Sequence, residues 1–175
     1  MRWEEQGTVG NQRHTVIPRT LSFITYEQDV LLLRGAPTKR IWPGKLNGIG
    51  GHVEPGETVY ESAQREIWEE TGLWIPRLTL RGIVHIAGPQ GSHQASPGVL
   101  IALFTGQAPS RQVRPSSEGE LAWYPLDALP THELVEDLPM LLPHLLAQPM
   151  GSFLYGSYTV DAAGEMTFRL ESAPS

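Results

Sequence analysis

The sequence predicts an α/β fold in which a mixed β-sheet lies between helices. Three observations predict it: several short apolar segments separated by turn signals, one strongly capped helix in the first half, and a second apolar helical segment near the C-terminus. The 175 residues are enough for one domain with its own hydrophobic core. We expect a single domain over residues 15–175, preceded by a flexible polar arm over residues 1–14.

The first two apolar segments predict a pair of strands joined by a turn. Residues 20–26 read TLSFITY and residues 30–34 read VLLLR, and both are dominated by apolar and β-branched side chains. The polar residues 27–29 predict the turn between them.

The loop predicted over residues 35–45 is rich in cations and comes just before the acidic part of the chain. These side chains could receive the phosphate groups of a substrate, or could only keep the loop soluble. Trp42 in the same loop could stack on a nucleobase or cap the hydrophobic core. The cations are Arg34 at the entrance of the loop, then Lys39, Arg40 and Lys45.

Local signals predict one helix over residues 59–71. Thr58 and Glu61 form the pattern of a capping box, which begins a helix. Gly72 stands where a residue in the left-handed conformation would end it. The apolar stripe expected to pack on a sheet is Val59, Ala63 and Ile67.

Three glutamates of this helix share one face. At about 100° per residue, Glu66, Glu69 and Glu70 fall within a sector about 100° wide. Two carboxylates about 4 Å apart repel by about 4 kcal/mol at an effective dielectric near ~20, so a fixed cluster needs a counter-charge. Because oxygen ligands suit hard cations, the cluster predicts a site for Mg²⁺ or Mn²⁺. The alternative is a solvated acidic face on which Arg65 pairs with Glu69.

The second half of the chain predicts further strands and a second helix. Residues 132–148 have leucines at helical spacing, but Pro139 and Pro143 predict a break or a kink. The continuous apolar run at residues 99–105 predicts a central strand buried on both faces. The other predicted strands are residues 77–87, 121–126, 153–160 and 165–170, of which the last two form a hairpin.

Composition and motifs exclude several classes of protein. The formal net charge of −6 argues against a nucleic-acid-binding protein. The absence of cysteine removes disulfides, thiolate metal sites and thiol nucleophiles. Neither an apolar signal-peptide core nor a run of about 18 apolar residues occurs, so we expect a cytoplasmic protein without a membrane partner. No Walker A loop and no G-x-S-x-G or H-E-x-x-H motif occurs.

Residues 51–73 resemble the signature of the Nudix hydrolase family, G-x5-E-x7-R-E-U-x-E-E-x-G-U, in which U is a bulky aliphatic residue. They read GHVEPGETVYESAQREIWEETGL. The resemblance is specific in this segment and weaker across the rest of residues 20–172, and it implies an α/β/α sandwich with a loop–helix–loop motif. The matching positions are Gly51, Glu57, Arg65, Glu66, Ile67, Glu69, Glu70, Gly72 and Leu73.

The resemblance also implies what the motif does. Such a loop–helix–loop binds divalent cations and hydrolyses a nucleoside diphosphate linked to another group. The implied metal and catalytic carboxylates are Glu66, Glu69 and Glu70, and the Gly50 carbonyl is a further implied metal ligand. The general base is then one of the three helix glutamates or Glu118, and the sequence does not choose among them.

Other residues of the motif have structural roles in the family. The resemblance implies that Arg65 and Glu57 brace the loop against the helix. The resemblance implies structural roles in the motif for Gly51 and Gly72 as well.

Glu118 is predicted to complete the metal site. In similar Nudix enzymes a glutamate just before a strand that carries a tryptophan often has this role, and Glu118 lies five residues before Trp123. Glu120 is the rival, and an ordinary loop carboxylate is the alternative.

The residues outside the signature resemble the branch of the family that cleaves nucleoside triphosphates, including oxidised purine triphosphates. In that branch the asparagine of an N-G-x-G-G segment hydrogen-bonds the purine, and the matching residue here is Asn47. An acidic pair before the last helix completes the recognition, and Glu136 and Asp137 lie at about that place. The chain departs from this pattern at His52, where a lysine is usual, and at Leu46, where a tryptophan is common.

The predicted activity is therefore hydrolysis of a nucleoside triphosphate, with oxidised purines among the candidates, to a monophosphate and pyrophosphate. One alternative is hydrolysis of ADP-ribose or of a dinucleotide polyphosphate, for which Pro89 stands near the place of a proline in ADP-ribose-cleaving relatives. An alternative of another class is a nucleotide-sensing domain without activity, although such domains usually lose glutamates that this chain retains. Monomer and homodimer both stay open.

Overall fold

The computed structural model describes residues 14–38, 41–87, 97–147, 149, 151–161 and 164–172. The predicted N-terminal arm, except for His14, lies outside them. The elements are β1 (Val16–Tyr26), β2 (Asp29–Gly35), β3 (Leu46–Asn47), α1 (Val59–Thr71), β4 (Leu78–Ile86), β5 (Gly98–Gln107), β6 (Gly119–Pro125), α2 (Leu138–Ala147), β7 (Leu154–Val160) and β8 (Met166–Ser172).

The strands form one mixed sheet in the order β3-β2-β1-β5-β4-β7-β8, and β6 pairs with β2 as well. The β1–β5 and β4–β7 pairs are parallel, and the other pairs are antiparallel. Strand β1 begins at Val16, four residues before its predicted start, because it pairs with β5 from Val16 to Thr25.

Two hydrophobic cores lie on opposite faces of the sheet. Phe23 packs in one core with the buried leucines of α2, whereas its neighbour Ile24 packs in the other with Ala63 and Ile67 of α1. Successive residues of a strand point to opposite faces, so the sheet lies between the two helices. The predicted α/β sandwich is confirmed. No helix in the described part of the chain is long and apolar enough to cross a membrane.

The predicted capping signals define α1. Thr58 Oγ1 accepts from the backbone N–H of Glu61 at 3.2 Å, and Glu61 Oε2 accepts from that of Thr58 at 2.8 Å. Gly72 follows the helix with φ of 74°, a conformation that favours glycine. One expectation was wrong: Val59 is 42% exposed, and the face of α1 that packs in the core is formed by Ala63 and Ile67.

The second helix begins later than predicted. Residues 132–137 do not join it, because the backbone nearby pairs with Leu46 of β3: the N–H of Leu46 donates to the Glu133 carbonyl, and that of Val135 to the Leu46 carbonyl. Pro139 falls in the first turn of α2, where a missing N–H is tolerated. The helix continues past Pro143 to Ala147, so no break occurs there.

Candidate functional site

The loop before α1 is attached to the middle of the sheet. The backbone N–H of Thr20 donates to the Gly51 carbonyl at 2.9 Å, and Ser22 exchanges backbone hydrogen bonds with Ile49 at 2.7 and 3.0 Å. A Cβ on Gly50 would lie 2.1 Å from the Thr20 carbonyl oxygen, and one on Gly51 would lie 2.2 Å from Glu66 Oε1. Gly50 is therefore required for the loop to lie against the backbone of β1, whereas a side chain at Gly51 would displace the Glu66 carboxylate.

Arg65 connects this loop to the helix. Its guanidinium donates to the His52 carbonyl at 3.0 Å and makes a two-point contact with Glu57 at 2.8 and 3.0 Å. Its Nη1 also contacts Glu66 Oε1 at 3.0 Å and Glu69 Oε2 at 3.1 Å. One guanidinium thus contacts three carboxylates. Its planar, bidentate contact with Glu57 fixes the loop, and lysine could not reproduce this geometry.

The Glu57→Gln substitution is expected to lower thermal stability near neutral pH and to lose this effect in strong acid. Hydrogen bonds from Arg65 and from the backbone of Glu54 lower the pKa of Glu57 to about 2 from the ordinary 4.5. A carboxyl whose pKa is lowered by folding stabilises the native state above its unfolded pKa and stops doing so as pH falls through the folded value.

Thermal unfolding measured from about pH 7 to about pH 2 tests this expectation, with Glu171→Gln on β8 as a control. The difference between the Glu57 variant and the native protein should shrink between about pH 4.5 and about pH 2. A deficit of the same size at both ends of the range would contradict an electrostatic origin.

The three helix glutamates have different environments. Glu70 is 5% exposed, whereas the Glu69 side chain is 57% exposed. Burial raises the pKa of the Glu66 carboxyl above its usual value, and the negative charges of Glu69 and Glu118 act in the same direction, against the opposing effect of Arg65. Glu70 is therefore buried, Glu66 is partly buried and Glu69 is exposed.

Glu118 lies close to this group. Its negative charge is one of the causes that raise the pKa of Glu66. Its carbonyl accepts from the backbone N–H of Ala36 at 3.1 Å, which places it at the end of β2 beside the loop. Glu120 lies two residues further on β6, opposite Arg34 in the strand register.

The donor set fits a hard divalent cation by its chemistry. It consists of the carboxylates of Glu66, Glu69, Glu70 and Glu118 and the Gly50 carbonyl, all oxygen. Among the residues that the structure describes, no three histidine, aspartate or glutamate side chains are already arranged around one point as metal ligands. The ion pairs with Arg65 hold Glu66 and Glu69 in their present orientation.

A cavity of about 330 Å³ includes one of these carboxylates, Glu70, in its lining. Glu70 and Gly50 of the loop–helix segment line it, and so do Asn47 of β3 and Asp137 at the start of α2. A lining that combines apolar side chains with a few polar groups and carboxylates is typical of a ligand pocket. Other lining residues are Arg19, Thr20, Leu21, Trp42, Lys45, Ile86, Ile101 and Tyr158.

The predicted substrate residues divide into two groups. Asn47, Asp137 and Trp42 line the cavity, and Trp42 is 37% exposed there. Glu136 is exposed and is not part of the lining. Lys39 lies outside the described residues, as do Arg40 and Pro89.

Arg34 has a different environment from the predicted one. Its guanidinium pairs with Glu133 and donates to the Gly44 carbonyl at 3.0 Å, and the residue is not part of the cavity lining. Hydrogen bonding with Glu133 also raises its pKa. These bonds connect β2 to the segment before α2, so Arg34 holds the wall of the cavity. Lys45, which does line the cavity, donates to the His132 carbonyl at 3.0 Å.

Two cavity residues were not predicted from the sequence. Thr20 is 2% exposed, and its Oγ1 has no hydrogen-bond partner among the described residues. Tyr158 on β7 lines the cavity together with Asp137 and acts to lower the pKa of that carboxyl. Both lie in strands with ordinary sequences, and only the pairing of distant strands brings them to the cavity, so no local signal marks them.

Comparison with known proteins identifies one family. The profile described as "NUDIX domain" matches residues 17–145, which is more than half of the chain. Among curated proteins, the uncharacterized Nudix hydrolase YvcI of Bacillus subtilis is 27% identical over 162 residues, covering 90% of this chain and 96% of YvcI.

A second relative and a solved structure point the same way. The oxidized purine nucleoside triphosphate hydrolase of Mus musculus is 32% identical over 128 residues, covering 73% of this chain and 78% of the mouse protein. The crystal structure of a mutator MutT protein from Bacillus halodurans superposes with a TM-score of 0.73 at 24% identity, covering 89% of this chain and 98% of that one, and shows the same fold.

Proposed function

We propose, because this chain belongs to the Nudix hydrolase family, that it hydrolyses purine nucleoside triphosphates to a nucleoside monophosphate and pyrophosphate with the help of Mg²⁺ or Mn²⁺. The observation that carries the proposal is the position of the cavity. Its lining joins Glu70 and Gly50 of the signature segment to Asn47 and Asp137, which are groups suited to a nucleobase. A nucleotide bound there would place its base and its phosphates beside different parts of one surface.

The choice of a triphosphate has separate support. The mouse relative is named an oxidized purine nucleoside triphosphate hydrolase and is 32% identical to this chain. The asparagine and the aspartate expected from that branch both line the cavity. Its volume of about 330 Å³ lies at the lower end of the range for small-molecule sites, which suits one nucleoside with its phosphates toward the open side.

The signature carboxylates would carry the chemistry. A divalent cation, when bound, would neutralise the phosphate oxygens and lower the pKa of an attacking water. Glu66, Glu69, Glu70 and Glu118, with the Gly50 carbonyl, would hold it. Among these groups Glu66 is restrained in orientation by Arg65 through Oε1.

Removal of divalent cations is expected to abolish hydrolysis. The proposed ligands are all oxygen atoms, and a polyphosphate repels a carboxylate cluster until cations neutralise both. Pyrophosphate release should stop in excess EDTA and return when Mg²⁺ or Mn²⁺ is added in excess over the chelator. Full turnover in EDTA, after dialysis against the chelator, would end the proposal that these carboxylates work through a metal.

A comparison of substrates tests the proposed reaction. GTP, ATP, CTP, their oxidised purine analogues, ADP-ribose and a dinucleoside polyphosphate would be incubated with the enzyme, and the products would be resolved by ion exchange. We expect the highest kcat/KM for a purine triphosphate, with pyrophosphate as a product. A preference for ADP-ribose or for the dinucleoside polyphosphate would make that compound the substrate in place of a triphosphate. No turnover of any nucleotide would favour a sensing domain.

A further inference from the structure

The C-terminal end of α1 has no cation of its own. The last carbonyl groups of a helix carry partial negative charge and favour a cation nearby. The last turn of α1 contains no basic residue, and it contains two of the signature carboxylates, Glu69 and Glu70. Negative charges are unfavourable at this end of a helix, so a cation from another part of the chain would stabilise the turn.

Arg114 supplies such a cation from the loop between β5 and β6, residues 108–118. Its backbone N–H donates to the Thr71 carbonyl at 2.7 Å, and its Nη2 donates to the Trp68 carbonyl at 2.5 Å. Its guanidinium also lies over the Trp68 ring, 4.8 Å from the ring centroid. Two hydrogen bonds and a cation–π contact therefore fasten this loop to the last turn of the helix.

Gly72 leaves room for the Arg114 side chain. A Cβ on Gly72 would lie 2.5 Å from Arg114 Nε and 2.8 Å from Arg114 Cγ. Both atoms lie within the side chain rather than at its tip, so a larger residue at position 72 would displace Arg114. The glycine that ends α1 thus has a second role beside its left-handed conformation, because it lets the loop approach the end of the helix.

The same loop ends at Glu118. The Glu118 carbonyl accepts from Ala36 N–H at 3.1 Å, and the Glu118 N–H donates to Ser116 Oγ at 3.1 Å. Four positions separate Arg114 from Glu118 (118 − 114), and so short a segment extends over at most about 14 Å. Pro115 within it has a fixed φ. The segment therefore joins the end of α1 to the end of β2, and the place of Arg114 restricts the place of Glu118.

We infer that Arg114 is a positioning residue, which fastens the β5–β6 loop to the C-terminal end of α1 and so holds the Glu118 carboxylate in place relative to the glutamates of that helix. The inference rests on the proposed function, in which these carboxylates hold a divalent cation. Arg114 is not one of the proposed ligands, so its effect on the cation passes through Glu118. Residues that orient a metal ligand typically contribute about tenfold to a hundredfold to metal affinity.

Binding of Mn²⁺ to the full chain without nucleotide, followed by the electron paramagnetic resonance signal of the free ion, tests the inference. Arg114→Ala should weaken Mn²⁺ binding about tenfold, the lower end of the range for such residues. Arg111→Ala is the matched control, because Arg111 belongs to the same loop but pairs with Asp29 and lies over the Tyr26 ring, on the β1–β2 side. It should leave the Mn²⁺ affinity unchanged.

A double variant shows whether Arg114 acts through Glu118. Glu118→Gln should itself weaken Mn²⁺ binding, and adding Arg114→Ala to it should have little further effect, because the group that Arg114 positions is already lost. A further loss of about the same size in the double variant would overturn the inference, since Arg114 would then act through the helix alone. Unchanged affinity in Arg114→Ala, or an equal loss in Arg111→Ala, would overturn it too.

Thermal unfolding of each variant checks the fold. Arg114 is exposed and belongs to neither hydrophobic core, so the alanine variant should fold. If it does not, Arg114→Gln, which removes the charge and keeps more of the side chain, takes its place with the same expected loss. Native protein that binds no Mn²⁺ would overturn the inference as well. Because binding is measured without turnover, a failure of the proposed hydrolysis appears separately in the substrate comparison.

Discussion

The Glu70→Gln substitution is expected to lower kcat at least about a hundredfold, and Glu69→Gln is expected to do the same. Glutamine keeps the shape of the side chain but removes the charge that a bound cation or a transferred proton requires. Losses of this size are typical when a positioned acid–base or electrostatic group is removed. Glu70 is 5% exposed and lines the same cavity as Gly50, so water cannot readily take the place of its carboxylate.

Rates at saturating substrate and Mg²⁺, together with thermal unfolding, measure this effect. The fold should survive in both variants, because each change removes one charge from a cluster of like charges. Glu171→Gln, on β8 outside the site, is the control and should keep the native kcat. A glutamine variant with near-native kcat would exclude that residue from the mechanism. Because the Glu69 side chain is 57% exposed, the expected loss of kcat is a stricter test for Glu69 than for Glu70.

The Asn47→Ala substitution is expected to raise KM for purine triphosphates by about tenfold to a hundredfold and to change kcat little. The reason is that a base held by the Asn47 amide would lose one hydrogen bond in a partly buried pocket and leave its own acceptor unpaired, a cost of about 1–3 kcal/mol. The effect should be much smaller for a pyrimidine triphosphate. Steady-state kinetics with one purine and one pyrimidine triphosphate measure the ratio.

The hydrogen bond from Gly48 N–H to Asn47 Oδ1, 2.8 Å long, offers a second explanation that must be separated from the first. Through it Asn47 could only shape the loop that carries the Gly50 carbonyl. The Asn47→Asp variant keeps this acceptor but has no NH₂ group. If the amide reads the base, Asn47→Asp should lose purine preference as Asn47→Ala does. If it only supports the loop, Asn47→Asp should keep the purine-to-pyrimidine ratio, and Asn47→Ala should lower kcat for every substrate.

The parts of the structure that the sequence predicted well depend on local chemistry. The bounds of α1 follow from Thr58, Glu61 and Gly72, which act on backbone groups within a few residues. The pairing of Arg65 with Glu57 spans only eight positions across the start of the helix. Strands β1, β2, β4 and β5 were predicted to within four residues at each end, because apolar strand residues need burial wherever they lie, whereas the two-residue strand β3 was not predicted.

The parts that were missed depend on contacts between distant residues. Arg34 meets Glu133 across a sequence separation of 99 residues, so a cation expected to bind phosphate instead holds the wall of the cavity. The late start of α2 is set by pairing with Leu46, a residue of a strand only two residues long. Tyr158 lines the same cavity as Asp137 only because β7 pairs with β4. Neither periodicity nor a signature motif contains this information.

The parallel pairing of β1 with β5 has a consequence for how the chain folds. It runs over ten residue pairs, from Val16 with Gly98 to Thr25 with Gln107, each 82 positions apart (98 − 16 and 107 − 25). Closing so long a loop costs chain entropy before any of these pairs can stabilise the chain, so such contacts are slow to form. During synthesis α1 emerges well before β5, so its turns can form early. The loop at Gly51 is anchored on β1, which is made before α1, whereas Glu118 follows β5 in the chain and can join the loop only after β5 has been made.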